Sequence, residues 1–211
     1  MKSDCGGSAA CVGALLNIVK SKLNKNVHAV LCLAENAVDA HSFRNDDIIT
    51  LYSGKTVEIN NTDAEGRLVL GDGVAYASKH LNCHLIVDIA TLTGAQLTAT
   101  GKMHCGLVSN DVELEKHFIS SGQKVGELVF PMLYCPELLM GEFDSKVADM
   151  KNSVKDRMNC SSSCAGHFVE SHIIGEKKWV HLDIAGPSFS ADRGTGFGAG
   201  LLTEAITQLK I

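Results

Sequence analysis

The sequence predicts an α/β fold whose sheet is covered by helices on both faces. Three observations carry that reading. Short, continuous apolar runs alternate along the chain with stretches of helical periodicity. The runs lack the strict alternation of a strand with one wet face, as expected of strands buried on both sides. The 211 residues are 45% hydrophobic with 20 glycines, too apolar for a disordered segment and long enough to bury a substantial core.

Taken in order, Val12, Leu15, Leu16, Val19 and Leu23 recur at helical spacing and predict a helix from Ser8 to Leu23. Lys20, Lys22 and Lys25 place positive charge near its C-terminal end, where the helix dipole favours it. Val27 to Leu33 reads as a strand buried on both faces, and Glu35 to Asp47 as a polar loop. Ile48 to Tyr52 and Lys55 to Asn60 flank Ser53-Gly54, the signal of a two-residue hairpin turn. Leu70, Val74, Ala77 and Leu81 predict a helix over 68–81, followed by a buried strand from His84 to Ala90. Thr91-Leu-Thr-Gly-Ala95 then forms a small, hydroxyl-rich turn at a strand's carboxyl end, where α/β proteins bind ligands. A strand at His104 to Ser109 and a polar helix at Asp111 to Gln123 follow. Residues 129–156 are less periodic and are interrupted by Pro131 and Pro136. A helix at Ser162 to Ile173, a strand at Trp179 to Ala185 and a helix at Gly198 to Leu209 close the chain. No linker, repeat or low-complexity tract divides it, so residues 1–211 read as one domain or part of one.

Nineteen Lys and Arg against 24 Asp and Glu give a net charge of −5, which argues against nucleic acid as a partner. The longest apolar stretches fall well short of the ~18 residues of a membrane span. Eight cysteines are scattered along a long chain that opens with no charged-then-apolar leader pattern, so reduced thiols in a cytoplasmic protein are expected. Cys160, Cys164 and His167 lack a fourth partner and do not make a structural zinc signature.

The most informative segment is Asn60-Asn-Thr-Asp-Ala-Glu-Gly-Arg67. If extended, it projects Asp63, Glu65 and Arg67 to one side. Two carboxylates can hold divalent cations through oxygen, and an arginine beside them can orient an anion. Thr62-x-x-Glu65 before an apolar run is equally a helix capping box. Asp4 has the same ambiguity, as a helix cap or a ligand ahead of Gly6-Gly7. Asp88 and Asp183 lie inside apolar strands and read as structural or supporting groups. No Gly-x-Ser-x-Gly elbow, phosphate-binding loop or dinucleotide fingerprint occurs, which disfavours a nucleotide-binding module.

Asn61-Thr-Asp-Ala-Glu-Gly-Arg-Leu68 resembles, without a mismatch, the signature octapeptide of the leucyl (cytosol) aminopeptidases, two-metal exopeptidases. Met1-Lys-Ser-Asp-Cys-Gly-Gly-Ser-Ala-Ala10, Asp88-Ile-Ala-Thr-Leu-Thr-Gly-Ala95 and His181-Leu-Asp-Ile-Ala-Gly186 agree in order and spacing. Ser53 to Asn61 and Val147-Ala-Asp-Met-Lys-Asn-Ser153 look most like the aminopeptidase-like branch of animals. The resemblance implies a central mixed, largely parallel sheet flanked by helices, a hexameric assembly, and two divalent ions, zinc or manganese. It implies Asp4, Asp63 and Glu65 as metal ligands, and Arg67 as the catalytic arginine that holds bicarbonate. It also implies Thr91, Leu92 and Gly94 as the loop beside the substrate, with Met1 and Ala185 lining the pocket for the first side chain of a peptide with a free N-terminus.

Two departures accompany the resemblance. The family takes a metal-binding lysine, a metal-binding aspartate and a catalytic lysine from a strand-turn upstream of Asp4, which this sequence lacks. Phe43-Arg-Asn-Asp-Asp47 replaces the usual arginine-proline-glycine-aspartate turn. The chain is therefore expected to be an N-terminally truncated portion of the catalytic domain with impaired activity. The alternative is a non-catalytic subunit that acts through oligomer assembly.

Overall fold

The computed structural model describes residues 3–209. Its centre is a four-stranded mixed sheet in the order β3 (Leu85–Ala90), β7 (Lys178–Asp183), β4 (Cys105–Ser109), β5 (Val129–Pro131). β3 runs parallel to β7 and β4 parallel to β5, while β4 and β7 are antiparallel, so parallel pairing predominates as expected.

Helices cover both faces. On one side lie α1 (Gly6–Lys20), α4 (Val112–Val125) and α7 (Ala199–Gln208). Their Ala10, Ala14, Leu114, Phe118, Leu201 and Leu202 pack on Ile89, Leu107, Val180 and Leu182 of the sheet. On the other side α2 (Gly66–His80) and α6 (Ser161–Glu170) pack Val74 and Val169 on Ile86, Val108 and Trp179. Strand side chains alternate between these layers. Val180 and Leu182 therefore face the first, whereas Trp179 faces the second.

A smaller sheet, β1 (Ile48–Thr50), β2 (Thr56–Glu58) and β6 (Met150–Lys151), builds its own core from Val57, Phe143, Met150 and Phe168. The hairpin between β1 and β2 exists, but its connection is longer than Ser53-Gly54 alone. Thr50 pairs with Thr56, and Leu51 N–H donates to the Lys55 carbonyl at 2.9 Å, which leaves Tyr52, Ser53 and Gly54 as the loop. Gly54 sits at φ +91°, the left-handed position such a loop requires.

Most predicted helices and strands form within a few residues of their expected limits. Two expectations need correction. Val27 to Leu33 forms no strand and joins no sheet: it has no ladder partner among the described residues. Apolar character alone does not make a strand, because its backbone needs a neighbour to pair with. The turn after β3 is short, since residues from Gly94 to Thr100 form a helix, α3, capped by the Thr93 hydroxyl. Its lack of large apolar residues hid the period.

The approach of α1 to β3 depends on Gly7, where a Cβ would stand 1.9 Å from the Ile89 carbonyl oxygen. Gly7→Ala is expected to cost about 3 kcal/mol or more, since backbone would have to move. Urea unfolding measures that loss, and an unchanged midpoint would contradict the packing.

Candidate active site

Three chain segments meet at the edge of the sheet. The first leads into α1 and carries Asp4. Its side chain does not cap the helix: the cap position is Cys5, without a side-chain bond, and Asp4 instead accepts a hydrogen bond from the Thr91 hydroxyl. A Cβ on Gly6 would stand 2.9 Å from the Thr91 methyl, so this segment lies directly on the loop after β3.

The second segment is the turn from Asn60 to Arg67. It is not extended, contrary to the alternation argument. Asp63 N–H closes a turn on Asn61 Oδ1 at 3.0 Å, and Glu65 already has helical dihedrals of −77° and −34°. Nor does the capping box form, because the Glu65 cap position has no side-chain hydrogen bond. Both carboxylates are therefore free of the structural duty that competed with ligand binding. Asn152, fully buried, holds the turn: its Oδ1 accepts from the N–H groups of Asn60 and Asn61 at 3.0 and 3.3 Å. Its Nδ2 donates to the carbonyls of Asn61 and Ala64 at 2.7 and 3.3 Å. Sequence reasoning gave Asn152 no role, although it lies in a block quoted for the resemblance.

The third segment is the loop Thr91 to Gly94 with Ala185 beside it. Asp183, fully buried at the end of β7, organises both. Its Oδ1 accepts from the N–H groups of Leu92, Thr93 and Ala185 at 3.1, 3.3 and 3.3 Å. Its Oδ2 accepts from the hydroxyls of Thr93 and Ser162 at 2.6 and 2.8 Å. Buried Gln96 ties the same region together, with Oε1 accepting from Gly186 N–H at 2.6 Å. Asp88 has a comparable supporting place: it accepts from Trp179 Nε1 at 2.7 Å and pairs with His181 Nδ1 at 2.5 Å. Burial opposes the charged imidazole, but the Asp88 charge and hydrogen bond outweigh it and push His181 up.

Asp4, Asp63, Glu65, Arg67, Thr91, Leu92, Gly94 and Ala185 all line one open depression of 2160 Å³. Met1 lies outside the described residues. Burial, followed by the charges of Asp4 and Asp63, pushes Glu65 above the ordinary carboxylate range. Arg67 is 7% exposed, and burial lowers it to about 10. Its guanidinium lies 5.9 Å from the Phe143 ring centroid, and neither Nε nor Nη1 has a partner among the described residues. A buried cation whose N–H donors have no protein partner is chemically able to hold an anion. Among the described residues no three His, Cys, Asp or Glu side chains converge closely enough to hold one ion.

The description "Cytosol aminopeptidase family, catalytic domain" matches residues 1–203. The chain belongs to the cytosol aminopeptidase family. This family member is 59% identical over 204 residues to the probable aminopeptidase NPEPL1 of Mus musculus, covering 96% of this chain and 39% of that protein. Leucine aminopeptidase 1 of Caenorhabditis elegans is 48% identical, with 98% and 43% covered. Among solved structures, the apo leucyl aminopeptidase of Trypanosoma cruzi superposes with a TM-score of 0.96 at 52% identity, covering all of this chain and 42% of that one. The Trypanosoma brucei enzyme in complex with bestatin gives 0.95 at 46% identity, covering 98% of this chain and 40% of that one. The aminopeptidase-family chain thus spans about 40% of the length of the relatives it matches. Among the described residues no helix is long and apolar enough to cross a membrane.

Proposed function

We propose that this chain supplies part of the active site of a metal-dependent aminopeptidase, which releases N-terminal residues from peptides. The observation that carries the reading is Arg67, buried with Nε and Nη1 unpartnered, beside Glu65 in the depression that also holds Asp4 and Asp63. Asp4, Asp63 and Glu65 would hold the ions. Three oxygen donors suit hard or borderline dications such as zinc or manganese, and their mutual repulsion is what a cation relieves. Bound divalent ions supply a water of lowered pKa and a Lewis acid for the scissile carbonyl.

The chain's own residues then bind and orient. Arg67 offers two N–H donors to bicarbonate. Asp183 fixes the Thr91 to Gly94 loop and Ala185, where the first side chain of a peptide rests. Met1 completes that lining in this reading. A cytoplasmic homohexamer belongs to the same proposal.

One observation favours a second reading. Asp4 is engaged by the Thr91 hydroxyl and no three ligands converge among the described residues, as in a non-catalytic subunit that acts through assembly. Metal analysis and a leucine amide assay separate the two. Residues 1–211 alone are expected to retain manganese or zinc weakly. Joined to the rest of the family's length, they are expected to show ion-stimulated hydrolysis that Glu65→Ala abolishes. Absence of hydrolysis in the joined protein would establish the non-catalytic reading.

A further inference from the structure

Asp88 of β3 and His181 of β7 stand directly opposite each other in the ladder. Both are buried, at 6% and 0% exposed. His181 Nδ1 meets Asp88 Oδ1 at 2.5 Å, and Nε2 has no partner among the described residues, so Asp88 holds the ring by its one hydrogen bond. Asp88 Oδ2 accepts from Trp179 Nε1 at 2.7 Å, and the Trp179 and His181 rings lie stacked with centroids 6.0 Å apart.

The pair fixes what apolar packing leaves open. Strand side chains repeat their face every second residue, so sliding β3 by two residues along β7 keeps each apolar side chain on its own face of the sheet. The charged pair does not survive that slide. Asp88 would stand opposite Trp179 or the Asp183 carboxylate, and His181 would lose its partner. A buried charge without a partner is costly, so a single register is selected.

That register places the site. Two residues further along, Ala90 pairs with Asp183, and Ile184 N–H donates to the Ala90 carbonyl at 2.8 Å. The chain after Ala90 is the Thr91 to Gly94 loop, whose Leu92 and Thr93 N–H groups donate to Asp183. α6 braces both positions, since a Cβ on Gly166 would stand 3.0 Å from His181 Cδ2 and the Ser162 hydroxyl donates to Asp183.

We propose that Asp88 and His181 are positioning residues for the substrate: by locking β3 to β7, they set where the Thr91 to Gly94 loop lies against Asp183 and Ala185. They act through Asp183. The inference rests on the aminopeptidase reading for the loop's role in binding, and not for the lock itself.

Hydrogen exchange of the full 211-residue chain and kinetics of the joined protein test the proposal. His181→Leu keeps the site apolar and filled while removing the hydrogen bond. Its Leu92 and Thr93 amides are expected to exchange about tenfold faster or more, while those of α4 keep the parent rate. In the joined protein, kcat/KM for a leucine amide falls by about tenfold or more at a temperature where the variant is fully folded. His181→Asn, whose NH₂ can donate to Asp88 from the place of Nδ1, recovers most of both losses. Should His181→Leu fail to fold, Asp88→Val removes the pair from the other strand and gives the same faster exchange in the loop. Exchange that quickens equally in α4 and in the loop, or that stays unchanged at Leu92 and Thr93, would overturn the proposal. So would a His181→Asn variant as impaired as His181→Leu. A parent protein that hydrolyses nothing would sink the aminopeptidase reading alone, and the exchange comparison, which uses no hydrolysis, then decides the lock.

Discussion

Asp183→Ala is expected to lower the melting temperature by roughly 10 °C and to disorganise the loop from Thr91 to Gly94. The carboxylate is fully buried and accepts five hydrogen bonds, three from backbone N–H groups and two from hydroxyls. Removing it leaves those donors buried without a partner, a loss of about 3–5 kcal/mol. For a chain of this size each kcal/mol shifts the midpoint by about 2–4 °C. Asp183→Asn is the informative companion. Its amide oxygen still accepts from Leu92, Thr93 and Ala185, and its NH₂ meets the hydroxyls of Thr93 and Ser162, which can rotate to accept. A loss well under half that of alanine is expected from calorimetry. Equal losses for the two variants would show that charge, not the hydrogen-bond pattern, holds the loop.

Arg67→Met is expected to move stability and catalysis in opposite directions. The guanidinium is buried with two unpartnered N–H donors, and its lowering to about 10 corresponds to a burial cost of about 3 kcal/mol. Because the folded value lies below the unfolded one, that cost applies in full below about pH 10 and is relieved as pH rises beyond it. Methionine fills a similar volume without charge, so a gain of about 1–3 kcal/mol is expected at neutral pH. If Arg67 holds an anion at the reaction centre, the same change lowers kcat of the joined protein by about 10²–10³. Added bicarbonate should then raise the melting temperature of the parent chain and leave that of Arg67→Met unchanged. A destabilised variant that bicarbonate still stabilises would show that the arginine serves packing instead.

These two positions were not equally legible in the sequence. Arg67 stands inside the octapeptide, and its proximity to Glu65 follows from chain order. Asp183 reads only as a buried aspartate in a strand, since its five donors come from the turn after β7, the loop after β3, and α6. Asn152 is less visible still, because an isolated asparagine carries no periodic signal and its partners lie about ninety residues away in the chain. The competition between capping and ligand binding at Thr62 to Glu65 also needed coordinates. Local spacing permits both, and the course of the turn leaves the carboxylate unengaged.

The family, the α/β class and the positions of most helices and strands are legible along the chain, because periodicity, turn residues and an uninterrupted motif are properties of neighbouring residues. Which apolar run becomes a strand depends on what packs beside it in the fold. Val27–Leu33 and Leu85–Ala90 look alike as sequences, yet β3 finds β7 beside it and Val27–Leu33 finds no partner among the described residues. The physical reason is that strand formation requires hydrogen bonds to another segment of backbone, and the presence of that segment is not written in the strand.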